Sequence, residues 1–477
     1  MRRAVIVAAA GAMAMASAGC GGSSHPASST STSPPPANSS PPTSPTTPTA
    51  SATAPRGSTP TARPHSAPAA ADWATYHRSG LRTGAVATGP ALGRVRRLWS
   101  VPVAGGVYAE PLVIGARVIV ATQENDVYAL DAASGRRLWA AHLGAPVGGG
   151  SLPCGNVDPS GITGTPVADP RTGTLYVVAY RSGPRHVLFA LSLGTGAVRF
   201  KRPIDPPGGN YTTQQQRAAL ALSGGLVYVS YGGLYGDCGR YHGWVVGAPA
   251  TGPDGPLIDY QVPSQNEGAV WAPSGPAVDQ HGNLYVATGN GNASSFDYGN
   301  AVIRLTPGLQ AISYFAPADA GALNTTDTDL GSTGPVLLPG GRAFILGKSG
   351  TGYLLSTANL GGLGHELASI ALAPAFGGDA YAAGTLYVPT IGGIAAVQVA
   401  GDHLSRRWNQ SVATLPPIVA GAGVWALSSG GTLYQLDSRS GAVRYRVGVG
   451  EPEHFATPAA DGRRVYVAAG GLVQAFG

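Results

Sequence analysis

Few residue patterns in this 477-residue sequence have the spacing of a known catalytic motif. Residues 347–350 read Gly-Lys-Ser-Gly, but Arg342 stands where a phosphate-binding loop needs its first glycine, and the flanking pattern predicts a strand hairpin. His365-Glu366 lacks the second histidine that a helical zinc site requires. No Gly-x-Ser-x-Gly sequence stands on a strand–helix junction. The sequence therefore indicates neither a phosphate loop, a zinc hydrolase nor a serine hydrolase.

Cys20 has the context of a lipid attachment site. It follows Arg2-Arg3, an apolar run over 4–16 and the small residues Ser17, Ala18 and Gly19. That order resembles a bacterial lipoprotein leader, although leucine is usual where Ser17 stands. We predict a signal peptide over 1–19 and a lipid on Cys20, which would place the protein outside the cytoplasm on the cell membrane. A plain secretory signal with an incidental cysteine is the alternative.

The other two cysteines, Cys154 and Cys238, lie in loops of the later sequence. In an exported protein two remaining cysteines most economically form a disulfide, so we expect a Cys154–Cys238 bond. Two free thiols are an alternative. A metal pair with His242 is another, but two thiols without further ligands make a weak zinc site.

Residues 20–71 form a tether rich in Ser, Thr and Pro, with no apolar periodicity to bury. Such composition predicts a disordered spacer. The tether and leader also supply four of the six net positive charges, because residues 1–71 hold four arginines and no acidic residue. Basic residues after Asp72 are dispersed, which argues against a nucleic-acid partner.

From Asp72 onward one strand–turn–strand pattern recurs, and 71 glycines with 11% charged residues fit a turn-dense β protein. The β-rich runs are spaced at propeller-blade intervals. They centre near Ile119, Val177, Tyr228, Val286, Ile345, Tyr387, Trp425 and Tyr466. We therefore predict an all-β fold over 72–477, an eight-bladed β-propeller.

The two ends of the repeat region complement each other. Arg-Arg-Leu-Trp closes a full repeat at 136–139, but at 96–99 no strands precede it. At the other end the chain stops after a repeat's middle strands, near Phe476. The strand around Val95 to Val103 is thus expected to complete the last blade, which removes both free sheet edges.

A turn signature repeats with an aromatic residue eight positions after Asp or Ser, as in Asp131 to Trp139, Ser192 to Phe200 and Asp437 to Tyr445. Ser-Gly or Thr-Gly stands between, which is typical of a turn with positive φ at glycine. We expect each aromatic side chain to pack against a neighbouring blade.

Residues 127–139, Val-Tyr-Ala-Leu-Asp-Ala-Ala-Ser-Gly-Arg-Arg-Leu-Trp, resemble the repeat of the quinoprotein-type (PQQ-like) eight-bladed propellers. This superfamily contains quinone-dependent dehydrogenases of alcohols and sugars, and non-enzymatic members similar to BamB, the scaffold lipoprotein of outer-membrane β-barrel assembly. Fold does not decide between them.

The resemblance implies specific requirements for the enzyme alternative. Its dehydrogenases hold PQQ on the ring axis with calcium bound by acidic and amide oxygens, beside an Asp that acts as base. Many alcohol-oxidising members add a vicinal cysteine pair, which this sequence lacks, as it lacks Cys-x-x-Cys-His for haem c. Calcium is not indicated, because no cluster of carboxylates and amides is evident. No metal or cofactor is expected.

Two residue sets are candidate sites. Residues just before the first strand of each blade should line the axial channel, where they could hold a small ion or ordered water: Glu110, Thr165, Arg217, Ser274, Thr333, Asp379 and Thr457. Long insertions in the middle blades offer a loop binding face, since ordered loops on a rigid ring suit binding. Its candidate residues are Asp158, Tyr211, Tyr235, Tyr241, His242 and Trp271. Packing and a merely wet channel are the structural alternatives for both.

The sequence favours a lipid-anchored binding or scaffold module at the cell envelope, without catalytic activity. Its expected partner is an envelope protein or polysaccharide, and the propeller is expected to be a monomer. The alternative is a PQQ-dependent dehydrogenase that oxidises alcohols or aldoses. A weaker third hypothesis is a glycan-processing enzyme that uses Asp or Glu.

Overall fold

The computed structural model describes residues 72–477, which form eight antiparallel sheets of the kind that the repeats predict. Each sheet is one blade, and the inner strands surround a common axis. The fold is an all-β eight-bladed propeller, so the predicted fold class is confirmed. The predicted leader (1–19), Cys20 and the tether (20–71) lie outside the described residues.

Each blade contains four strands, which are named from the axis outward. Blade 1 has Leu112–Ile114, Arg117–Ala121, Asp126–Asp131 and Arg137–His142. Blade 2 has Val167–Asp169, Thr174–Arg181, Arg185–Ser192 and Val198–Pro203. Blade 3 has Ala221–Ser223, Leu226–Gly233, Trp244–Pro249 and Ile258–Gln261. Blade 4 has Ala277–Val278, Leu284–Ala287, Val302–Leu305 and Ala311–Ala316.

The remaining blades repeat this order. Blade 5 has Val336–Leu338, Arg342–Leu346, Thr351–Ser356 and Ala368–Ala371. Blade 6 has Ala380–Ala382, Thr385–Thr390, Gly393–Ala400 and His403–Gln410. Blade 7 has Ile418–Ala420, Gly423–Leu427, Thr432–Asp437 and Val443–Gly448. Blade 8 has Ala459–Ala460, Val465–Ala469, Leu472–Phe476 and, from the start of the ring, Arg97–Pro102.

Short elements extend three blades. Gln214–Gln215 pairs with the end of Leu226–Gly233, Gly362–Leu363 runs parallel to Ala311–Ala316, and Ala85–Val86 runs parallel to Ile418–Ala420. The short helices are Gly149–Ser151, Ala320–Asn324 and Leu330–Ser332. None of the helices within residues 72–477 is long and apolar enough to cross a membrane.

The ring closes through the predicted N-terminal strand. Arg97–Pro102 pairs antiparallel with Leu472–Phe476, with Trp99 opposite Ala475 and Val101 opposite Val473. The last blade is therefore built from both ends of the ring, and its closure leaves no free sheet edge at the junction.

The turn signature joins neighbouring blades. The indole nitrogen of Trp139 in blade 1 donates to the carbonyl oxygen of Leu193 in blade 2 at 3.0 Å, and that of Trp99 in blade 8 donates to Ala132 at 3.1 Å. Gly196 has φ of +73°, and a Cβ there would lie 2.5 Å from the Trp139 ring. The turn thus needs glycine both for its backbone conformation and for the ring above it. The predicted packing on a neighbouring blade is confirmed at these positions.

The hydrophobic core lies between the faces of adjacent blades. Val127 and Ala129 of blade 1, for example, pack with Leu175 and Val177 of blade 2 in one buried cluster. Because the sheets are covered on both faces, their middle strands are apolar over successive residues, as in the fully buried Val227–Val229 segment.

Residues 73–86 close one end of the ring axis, and we call this segment the axial plug. It receives backbone hydrogen bonds from inner-strand residues of six blades, Val113, Ala168, Val278, Leu337, Tyr381 and Val419. Blade 3 contacts the plug differently: the Leu220 carbonyl oxygen accepts hydrogen bonds from the side chains of Thr75 and Arg82. The repeat pattern contains no signal for the axial plug.

Arg82 and Glu110 hold the axial plug from within. The fully buried Arg82 guanidinium donates to the carbonyls of Pro276, Tyr76 and Leu220. Glu110, predicted to line the axis, accepts instead from the Trp73 indole at 3.0 Å and the His77 amide at 2.7 Å. Burial raises the pKa of Glu110 well above its usual range and lowers that of Arg82 to about 10. Both groups therefore serve the closure of the axis.

Replacing Arg82 tests the axial plug. Arg82→Met should lower the free energy of unfolding by about 3 kcal/mol, because three buried carbonyls lose their donor. Urea denaturation of the purified protein measures the loss, and Arg94→Met, at an exposed arginine of the same N-terminal region, is the matched control. An Arg82→Met protein as stable as the Arg94→Met protein would show that the axial plug contributes little.

Candidate functional site

A cavity of about 450 Å³ opens at the end of the axis opposite the axial plug, and we call it the axial pocket. The chain order fixes its position. In blade 4 the chain passes Trp271 in the wall of the pocket before it reaches Val278 at the axial plug, and blade 5 passes Asp329 before Leu337 in the same way. The axis is thus closed at one end and forms a pocket at the other.

One wall of the axial pocket is aromatic. The rings of Trp271 and Phe455 have centroids 6.2 Å apart, and Phe376 stacks on Phe455 at 6.1 Å with an interplanar angle of 18°. The Arg217 guanidinium lies 4.7 Å from the centroid of Phe455. Because these residues come from different blades, the flat surface exists only in the closed ring.

An ion-paired lysine lies beside the aromatic wall, with Lys348 Nζ 6.0 Å from the centroid of the Trp271 ring. Lys348 Nζ lies 2.6 Å from Asp329 Oδ2 and 2.8 Å from Asp327 Oδ1, while the Asn290 amide donates to Asp329 at 2.7 Å. Burial raises the pKa of Asp329 despite the opposing effect of Lys348. Burial alone would lower the pKa of Lys348, but the two carboxylates outweigh it and raise that pKa. The lysine charge is therefore already neutralised.

A disulfide-bonded loop forms the third side. Cys154 and Cys238 form the predicted disulfide, with Cα atoms 6.1 Å apart. Residues 233–237 of the bonded loop line the axial pocket, as does Asn156 beside Cys154. The Tyr241 hydroxyl donates to Asp237 Oδ1 at 2.6 Å and fixes the carboxylate at the rim. The disulfide thus stabilises a wall of the pocket.

The backbone around the axial pocket is strained. Four non-glycine residues that line it have positive φ, with +47° at Asp237, +65° at Glu267, +48° at Asp327 and +66° at Phe455. A bulky aromatic residue is uncommon in this conformation. Strained residues cluster at ligand sites, where the surrounding structure holds side chains in position.

The predicted axial residues are placed around the axis but mostly do not reach the axial pocket. Six are buried, namely Glu110, Thr165, Ser274, Thr333, Asp379 and Thr457. Several are bonded locally, as in Thr165, which accepts from the Glu110 amide, and Thr333, which donates to the Leu346 carbonyl. Only Arg217 of this set lines the pocket.

Two of the buried set lack partners, because the Ser274 hydroxyl is unpaired among the described residues and Asp379 has no partner at all for its carboxyl group. Both of its carboxylate oxygens lack a hydrogen-bond partner among the described residues. Burial raises its pKa from 3.8 to about 8, so the carboxyl is mostly protonated at neutral pH. The residue just before the inner strand of blade 6 is therefore a neutral acid, not an anion that could bind a cation.

The predicted loop residues fall into two groups. Tyr235, which is 69% exposed, together with Tyr241 and Trp271, lines the axial pocket. The other three do not line it: Asp158 accepts from the Gly149 amide, Tyr211 packs under the Arg185 guanidinium, and the His242 carbonyl accepts from Gln214. The structure thus brings half of this set together.

Sequence reasoning missed much of the axial pocket. Glu267, Asn290, Asp329 and Phe455 come from irregular segments between repeats, whose positions depend on ring closure. The sequence did contain one signal that could have identified Lys348 as a site residue. The chain contains only two lysines, and this one stands in a hairpin turn of blade 5.

A larger open groove of about 1090 Å³ lies on the axial-plug side, near blades 2 and 3. Its arginines are already bonded, as Arg171 pairs with Asp169 at 3.4 Å and Arg199 donates to the Thr172 carbonyl at 2.9 Å. The groove therefore offers less binding chemistry than the axial pocket.

Comparisons with known proteins support the repeat type. Residues 81–235 match the family described as outer membrane protein assembly factor BamB. Among solved structures, the chain is similar to the quinohemoprotein alcohol dehydrogenase ADHIIG from Pseudomonas putida HK5, at 14% identity, with a TM-score of 0.64 over 85% of this chain and 80% of that one. A search of curated protein sequences finds no match.

Two further solved structures have the same fold. A europium-containing methanol dehydrogenase aligns with a TM-score of 0.65 at 14% identity, over 84% of this chain and 89% of that one. BamB from Moraxella catarrhalis aligns with a TM-score of 0.55 at 13% identity, over 80% of this chain and 97% of that one. At this identity the likeness shows the fold alone.

The protein is an eight-bladed propeller, and residues 81–235 of it match the family of the outer membrane protein assembly factor BamB. The BamB match and the Cys154–Cys238 disulfide indicate an extracytoplasmic location.

The pH dependence of stability tests Asp379. The folded state keeps this proton up to about pH 8, whereas the unfolded chain releases it near pH 3.8, so the residue's contribution falls as pH rises between these values. Asp379→Asn should match wild type near pH 4 and exceed it by a few kcal/mol at pH 7, at about 1.4 kcal/mol per pH unit. Urea denaturation from pH 4 to 8 measures this, and a difference that does not change with pH would contradict it.

Removing the disulfide tests the pocket wall. The bond spans 84 residues, so Cys154→Ser/Cys238→Ser should lower the free energy of unfolding by about 2–5 kcal/mol. Guanidinium denaturation with and without dithiothreitol supplies the control, since the reductant should shift wild type but not the double variant. Equal midpoints for both proteins without reductant would refute a stabilising role.

Proposed function

We propose that this protein is a lipid-anchored, extracytoplasmic binding module that holds a polysaccharide of the cell envelope in the axial pocket and catalyses no reaction. The observation that supports this proposal is the pocket itself. It is a cavity of about 450 Å³ with an aromatic wall and a polar rim, at the end of the axis that the plug leaves open. Concave, partly apolar cavities with a few convergent polar groups are typical ligand sites.

The side chains suit a sugar. Trp271 and Phe455 offer flat apolar surfaces against which the C–H face of a sugar ring can pack. Around them Gln215, Asn290 and Glu267 carry amide and carboxyl oxygens that can accept from hydroxyl groups. A protein partner would need a broader surface, whereas the axial pocket is deep enough for the end or a single unit of a chain.

The position of the N-terminus supports an anchored arrangement. Asp72, the first described residue, binds the Gly115 amide beside the axial plug, at the end of the axis away from the pocket. A tether from a lipid on Cys20 would therefore reach the ring at its closed end. We propose that this leaves the axial pocket accessible to envelope polymers.

Quinone-dependent oxidation is the second candidate, and the axial position of the pocket is the observation that favours it. The aromatic wall with Arg217 and Lys348 fits a planar polycarboxylate such as PQQ in shape and in part in charge. The calcium ion fits poorly, because Asp327 and Asp329 already ion-pair with the ammonium of Lys348. No set of three or more His, Cys, Asp or Glu within residues 72–477 is grouped to hold a metal. The binding function is therefore preferred.

Binding of envelope polysaccharide tests the proposal. Wild-type protein should retain the purified polysaccharide, and Trp271→Ala should weaken binding at least tenfold by removing the apolar surface. Tyr314→Ala, a half-buried aromatic on the outer strand of the same blade and outside the pocket, is the matched control. Affinity electrophoresis measures both.

The same preparation separates the alternatives. Incubation with PQQ and calcium should give no dye-linked oxidation of alcohols or aldoses, whereas such activity would establish the dehydrogenase. Crosslinking in intact cells that recovers one envelope protein, with no polysaccharide retained by the wild type, would replace the glycan by a protein partner.

A further inference from the structure

Arg217 is a partly buried cation without a carboxylate partner among residues 72–477. Its Nη2 atom is buried and has no hydrogen-bond partner, and no carboxylate of residues 72–477 lies within ion-pair distance of its guanidinium. The group rests on Phe455 at 4.7 Å and approaches Tyr108 at 6.0 Å. Glu453, the acid near Tyr108, hydrogen-bonds the phenol. Cation–π contacts offset part of the desolvation cost but leave the N–H groups of Nη2 without an acceptor.

This state is unusual for an arginine beside a cavity. Burial lowers its pKa to about 10, which still leaves the guanidinium charged at neutral pH. Burying an unpaired charge costs free energy unless an opposite charge or a hydrogen-bond acceptor lies beside it. Because Arg217 lines the axial pocket, a ligand can supply that acceptor.

The rest of the axial pocket limits the charge of the ligand. Lys348 is fully engaged by two aspartates, so it offers no further positive charge. Asp237 and Glu267 line the wall and have no cationic partner within residues 72–477. A ligand with several anionic groups would meet these carboxylates, and like charges repel. One negative charge is favoured, and the remaining contacts suit hydroxyl groups.

We infer that the axial pocket selects an acidic glycan, in which one anionic group binds Arg217 while a sugar ring packs on Trp271 and Phe455. This inference rests on the proposed function and adds to it the charge of the ligand. A uronate carboxylate and a sugar phosphate both present two oxygens to the guanidinium fork, so the shared chemistry is a single oxyanion on a hydroxyl-rich ring.

Chemical editing of one glycan preparation tests the inference. Oligosaccharides are released from the purified envelope polysaccharide and divided into three portions. One stays native, one has its carboxyl groups reduced to alcohols, and one is dephosphorylated with hydrofluoric acid. Titration calorimetry with the full-length protein should show at least a tenfold affinity loss for one treated portion, because a charge-assisted hydrogen bond is lost. The affected portion identifies the oxyanion.

Variants assign the preference to Arg217. Arg217→Gln should bind native and treated portions within about twofold of each other, whereas Arg217→Lys, which keeps the charge but not the fork, should retain part of the preference. Arg439→Gln, at an exposed arginine of blade 7, is the matched control and should behave as wild type. Thermal unfolding of each variant confirms that the ring is folded.

The outcomes separate the two proposals. Equal affinity of wild type for native, reduced and dephosphorylated portions would overturn the acidic-glycan inference and leave the binding function intact. An undiminished preference in Arg217→Gln would also overturn it. No binding of any portion would reject both the inference and the proposed function.

Discussion

The architecture depends on how the axis of an eight-membered ring is filled. Inner strands leave a central space that side chains of the blades do not close, and the axial plug occupies one end of it by bonding successive blades. Arg82 fixes the position of the axial plug, since its guanidinium donates to the carbonyls of Leu220 in blade 3, Pro276 in blade 4 and Tyr76 of the plug itself. Filling one end of the axis confines any axial ligand to the other end, where the axial pocket lies.

The axial pocket depends on this frame. Its walls come from irregular segments of several blades, and four of its residues hold positive φ. Such conformations persist only where surrounding structure over-determines them. Here the disulfide and the Tyr241 hydroxyl support Asp237, and the ion pair with Lys348 holds Asp327. A rigid ring with a shaped pocket is suited to recognition, and the engaged Lys348 reduces the room for a metal-assisted oxidation.

Much of the fold could be predicted because each blade repeats one local pattern. The eight centres, the closing strand around Trp99, the packing of Trp139 and the Cys154–Cys238 bond all follow from local sequence or simple pairing. The axial plug could not be predicted, because residues 73–86 have no strand periodicity and their partners are spread along the chain from blade 1 to blade 7. The pocket was only partly predicted, since Phe455 and Asp329 meet only after closure.

The axial residues show the same limit. Because Glu110 and Asp379 stand just before inner strands, the sequence correctly predicted that they lie near the axis. It did not predict that Glu110 binds the axial plug. Nor could it show that Asp379 would be left without a partner, with a pKa raised by burial. Of that set only Arg217 faces the cavity, since it stands further ahead of its inner strand than the others do.

The most direct measurement of the central claim is hydrogen–deuterium exchange of the exported protein with and without envelope polysaccharide. Binding in the axial pocket predicts slower exchange around the cavity, in residues 215–217, 232–243, 266–271, 327–329 and 453–456. Segments at the closed end, including the axial plug, should be unchanged. Protection centred on residues 72–90 or on the groove beside blades 2 and 3, with none around the pocket, would contradict the account.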